Sequence, residues 1–122
     1  MNITLTSHLS DTALEAEVKR VARCVREMSA QLIARLAELD ARQLHLAAGF
    51  RSLFLYCREV LLLSEHETYC RIEAARAVRK FPVILAKLAE GALNLTTVRL
   101  LAPHLTADNY QELIAQASPR SK

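Results

Sequence analysis

Tryptophan is missing from this chain, glycine occurs twice, proline three times, and aromatic side chains make up 5% of its 122 residues. So few glycines leave tight hairpins without their usual turn residues, and they exclude a glycine-rich loop that could cradle phosphate. The cysteines, Cys24, Cys57 and Cys70, are odd in number and form no C-x-x-C pair. That argues against a disulfide framework, and their place inside apolar helical patterns reads as small buried thiols suited to a reducing cytoplasm. His8, His45, His66 and His104 share no ligand spacing with the cysteines, so no metal site and no cofactor is expected. No apolar run reaches membrane-spanning length, and the opening "MNITLTSHLSD" lacks the charged and apolar regions of a signal peptide. No membrane partner is expected either, because the basic residues of the middle are not matched by a large aromatic face.

What remains is rich in Ala, Leu, Arg and Glu, a composition for helices, and the length suits one domain that can bury a single core. The expected fold is all-α: a single-domain bundle of six or seven helices with a long first helix and a helix-turn-helix-like unit. Net charge is +3. The basic excess is concentrated in residues 41–80, where Arg42, Arg51, Arg58, Arg71, Arg76, Arg79 and Lys80 face four acidic residues.

Periodicity and capping signals divide the chain. A first helix is predicted from about Asp11 to Leu39, opened by a Thr12–Glu15 capping box. Along it Leu14, Val18, Val21, Val25, Met28 and Leu32 recur in alternating steps of four and three, close to a heptad seam. The bland reading is one side of an intramolecular packing. The sharper one is self-association as a homodimer. Asp40 is expected to restart the chain as a short helix ended by Gly49, and Ser52 to cap "LFLYCREVLLL". Ser64 and Glu67 form a second capping box, heading a helix that Phe81-Pro82 stops. Pro82 suits the first turn of "PVILAKLAEG", "LTTVRLLAP" is a short helix closed by Pro103, and Thr106 is expected to cap "ADNYQELIAQA". This gives a helix at 1–39, a compact region at 40–117 and an unstructured tail at 118–122.

Residues 53–80 read as helix, tight turn, helix, the layout in which a second helix enters the major groove. Here the second helix would offer His66 and Thr68 as base readers. Arg71, Arg76, Arg79 and Lys80, with Arg51 and Arg58 behind them, would meet phosphates, which fix position without reading sequence. The fit departs from the usual motif. Arg58 stands where the first helix has a small residue, Leu62 where the turn has glycine, and Thr68 and Arg71 where two aliphatics are buried.

The succession "GFRSLFLYC", "LSEHETYCRIEAARAVRKFP", "LAEGALNLTTVRLLAPHLT" and "PRSK", across residues 39–122, resembles the helical N-terminal region of bacterial HNH-endonuclease-like proteins. The resemblance implies a non-catalytic accessory domain that helps hold DNA for a nuclease following it. The chain itself has no His-Asn-His arrangement and no ββα segment to carry a catalytic metal. No Ser-His-Asp or paired-carboxylate constellation can be assigned, so no catalytic residue is expected here. Two functions stand side by side: a DNA-binding accessory domain, and a self-associating interaction module that does not bind DNA.

Overall fold

A computed structural model describes residues 5–118; residues 1–4, and 119–122 of the expected tail, lie outside them. Among the described residues the chain is all-α, with seven α-helices, one 3-10 turn and no strand.

Helix α1 spans Asp11–Ala41, 31 residues, a rod of about 46 Å at 1.5 Å per residue. Its start corrects the sequence reading. Ser10, not Thr12, is the N-cap: its backbone is extended and its Oγ accepts from the Ala13 amide at 3.1 Å. Asp11 then sits in the first turn, where the helix dipole favours a negative charge. The other end is corrected too. Asp40 does not restart the chain; α1 runs through it, and the break falls at Gln43, which takes a left-handed conformation (φ 52°). Helix α2 (Leu44–Ala47) then closes as a Schellman motif at Gly49 (φ 95°). The Phe50 amide donates to the His45 carbonyl at 2.9 Å, and the Gly49 amide to Leu46 at 3.0 Å.

Helix α3 (Leu53–Glu59) is capped by Ser52, whose Oγ accepts from the Leu55 amide. Helix α4 (Glu65–Lys80) has the expected reciprocal box. Ser64 Oγ accepts from the Glu67 amide at 3.1 Å, and Glu67 Oε1 accepts from the Ser64 amide at 3.2 Å. The chain then turns at Phe81-Pro82 into α5 (Val83–Glu90) and α6 (Leu95–Leu101), capped by Asn94, and through the 3-10 turn Ala102–His104. The last helix, α7, is Tyr110–Ala117. Thr106 does not cap it. Thr106 and Asn109 instead close a turn ahead of the helix by exchanging side-chain-to-backbone bonds of 3.2 and 2.7 Å.

Helix α4 is the hub. Thr68, Cys70, Ile72, Ala74, Ala75, Ala77 and Val78 are all buried along it, against α1, α3, α5 and α6. Its alanines let the surrounding backbones approach closely, while Ile33 and Leu36 of α1, Ile84 of α5, Val98 of α6 and Ile114 of α7 fill the remaining volume. Each such side chain contributes about 1.5–3 kcal/mol by leaving water. Ala30, Ile33 and Leu36 therefore make the second half of α1 part of the compact unit, and a boundary at 39/40 would cut through the core. The first half projects beyond it. Val18, Val25 and Met28 are 59%, 62% and 61% exposed, and Leu32 is the first residue of the stripe to reach the core.

Candidate nucleic-acid interface

The turn between α3 and α4 is "VLLLS". The Leu63 amide closes it back onto the Cys57 carbonyl at 3.1 Å, and Leu62 takes a left-handed backbone (φ 59°) with its side chain 81% exposed. A β-carbon is disfavoured in that conformation, which is why the usual helix-turn-helix motif has glycine there. A tight turn between α3 and α4 is thus reached with leucine in a left-handed conformation. Phe54 of α3 and Tyr69 of α4 meet at 4.8 Å between ring centres and help fix the angle between the two helices.

Helix α4 does not present its N-terminal half as a reading face. Thr68 is fully buried and its Oγ1 donates to the Ser64 carbonyl at 2.7 Å, which removes it as a base reader. A hydroxyl one turn into a helix satisfies itself on the carbonyl four residues back. Arg71 is also turned inward. It lies under α1, donating Nη1 to Ser29 Oγ at 3.3 Å, with Nη2 3.9 Å from Glu67, and its buried Nε has no partner. With 16% of its side chain exposed, it contributes little to the outer surface of α4. These two residues stand where the usual motif buries aliphatics; Thr68 is buried here and Arg71 partly so. His66 is exposed, but its Nε2 lies 3.6 Å from Cys70 Sγ on the same helix.

The exposed line of α4 runs Glu65, Tyr69, Glu73, Arg76, Lys80, in steps of three and four. Its first half is negative and partly neutralised by neighbours: Arg58 of α3 lies 3.8 Å from Glu65, and Arg99 of α6 lies 3.7 Å from Glu73. Its second half is positive. Arg76 donates Nε to Asp40 at 3.1 Å yet stays 61% exposed. Arg79 and Lys80 are exposed in the last turn, where cations also suit the helix dipole. Arg76 and Lys80 border a cleft of about 240 Å³ closed on its far side by Ala102, Pro103 and Leu105. Arg51 is exposed ahead of α3. The fold therefore gathers Arg76, Arg79 and Lys80, adds Arg58 and Arg99 along the same face, and takes away Thr68 and Arg71. Arg99 was not singled out by the sequence, since its link to Glu73 joins positions 26 residues apart.

Titration follows local bonding. The Ser64 amide and hydroxyl hold the Glu67 carboxyl below the usual carboxylate range, and burial pushes the Cys57 thiol up. Among the described residues no three His, Cys, Asp or Glu side chains gather to hold a metal ion, and no helix is long and apolar enough to cross a membrane. His45 is buried with its Nδ1 unpartnered, and His104 ends the 3-10 turn. In comparisons with protein families, curated proteins and solved structures, nothing matches the chain.

Proposed function

We propose that this chain is a non-catalytic accessory domain of a bacterial, cytoplasmic HNH-endonuclease-like protein, and that it associates with the DNA backbone. The observation that carries this reading is the cluster of exposed Arg76, Arg79 and Lys80 on one end of α4, continued by Arg58 and Arg99. These side chains supply phosphate contacts, and the burial of Thr68 and the inward turn of Arg71 leave little for base readout, so the association is with duplex DNA of any sequence. Fluorescence anisotropy of labelled duplexes at two salt concentrations tests it. Arg79→Ala with Lys80→Ala should weaken binding alike on unrelated sequences and lower the slope of log K against log salt by roughly two. Unchanged affinity in the double variant overturns the proposal.

A second reading is favoured by a separate observation. The exposed stripe Leu14, Val18, Val21, Val25 and Met28 projects beyond the compact unit on α1, as a surface for self-association. The two readings are compatible, because a dimer sets two DNA-contacting units side by side.

A further inference from the structure

The projecting half of α1 is self-complementary in one orientation only. Written as heptads, Asp11, Val18, Val25 and Leu32 fall at position a, and Leu14, Val21, Met28 and Arg35 at position d. Two copies laid antiparallel about the level of Arg23 pair every a with a d. Val21 meets Val25 of the second copy, Val18 meets Met28, and Leu14 meets Leu32. At each end of the seam, Asp11 faces Arg35. A parallel pairing in register instead sets Asp11 against Asp11 and Arg35 against Arg35, with Glu15 and Glu17 gathered at one end. Like charges in facing layers oppose that arrangement.

The compact unit supplies a second, independent match. Beside the stripe lies an open groove lined by Val21, Val25, Met28, Ser29, Leu32 and Arg71, whose guanidinium is held only by Ser29 at 3.3 Å and Glu67 at 3.9 Å. In the antiparallel alignment Glu15 of the second copy comes within two residues of the level of Ser29, about 3 Å along the axis, on the Arg71 side. Glu15 is free to turn, being 70% exposed and tied only to Lys19 on its own helix.

We infer that two copies of this chain pair through α1 as an antiparallel coiled coil, each arm lying in the Arg71 groove of the other. The inference rests on the second reading above and adds its orientation and register. Cys24, which is exposed, then stands beside Cys24 of the second copy near the two-fold axis, offset by two residues. Ala22 of each copy faces its counterpart on the other flank, and its small side chain permits close approach.

The experiment uses the full chain. Light scattering should give twice the 13.7 kDa chain mass, and Val21→Asp with Val25→Asp should give the monomer with helical circular dichroism retained. A short bismaleimide should link two copies through Cys24, and Cys24→Ser should abolish the link, since Cys57 and Cys70 are buried. Glu15→Arg, which sets a cation against Arg71, should raise the dimer Kd by about fivefold or more. A monomer at all concentrations overturns both self-association and this orientation. A dimer that Cys24 does not cross-link overturns the antiparallel register and leaves self-association standing. A Kd unmoved by Glu15→Arg overturns the placement of Glu15 at Arg71.

Discussion

Arg71 reaches from α4 to α1 and donates to Ser29, 42 positions earlier in the chain, while its own Nε stays buried and unpaired. An arginine so placed locks two helices in phase and leaves hydrogen-bonding capacity unused. Replacing it with methionine, which keeps the stem and removes the charge, should leave the fold intact and leave duplex-DNA affinity unchanged. Anisotropy on Arg71→Met beside the Arg79/Lys80 double variant checks this, and a loss as large as that of the double variant would return Arg71 to the interface.

Leu62→Gly should stabilise the protein by about 0.5–1 kcal/mol. The left-handed backbone at Leu62 costs about 1–2 kcal/mol with a β-carbon, and part of the gain is returned by the greater freedom of unfolded glycine. The side chain is 81% exposed, so little packing is lost. Urea unfolding of the two proteins measures the difference.

The capping box gives a pH dependence. The Glu67 carboxyl has a lowered pKa in the folded protein, chiefly from its bond with the Ser64 amide. Its contribution is therefore present above the ordinary carboxylate pKa and is lost as pH falls through the lowered, folded value. The stability gap between the wild type and Glu67→Ala should be largest near neutral pH and narrow below pH about 4. Ser64→Ala should cost about 1 kcal/mol. Denaturant melts at several pH values test both.

Thr68→Val should cost no more than about 1 kcal/mol, because the Ser64 carbonyl keeps its bond from the residue 68 amide at 2.9 Å. It should not alter DNA affinity. Ile33→Ala, at a site with no exposure, should cost about 2–5 kcal/mol. Thermal melts of the two variants should separate clearly, with only the second shifted by many degrees.

Much of the helix punctuation was legible because it is local. Ser52, Ser64 with Glu67, Gly49 and Pro82 act on backbone groups within a few residues, so their chemistry can be read along the chain. The exceptions are local: Ser10 opens the helix two residues before Thr12, which leaves the Glu15 amide inside the helix, and Thr106 found a partner in Asn109 before the last helix began. The site was less legible for a different reason. Whether Thr68 and Arg71 face solvent depends on which helices pack against α4, and the buried alanines at 74, 75 and 77 say little of that until the neighbours are known. The same holds for Arg99, brought to Glu73 by the fold alone.

Because α1 is one unbroken rod from the projecting arm into the core, the arm's apolar stripe is clamped at a fixed angle to everything that Ile33 and Leu36 hold. A single residue inserted near Ser29 would turn the stripe by about 100° and carry it away from the Arg71 groove. An insertion of seven would move it out along the axis with a rotation of only about 20°. The core thus acts as a chuck for the arm, and evolution can lengthen this helix only in steps that respect its thread.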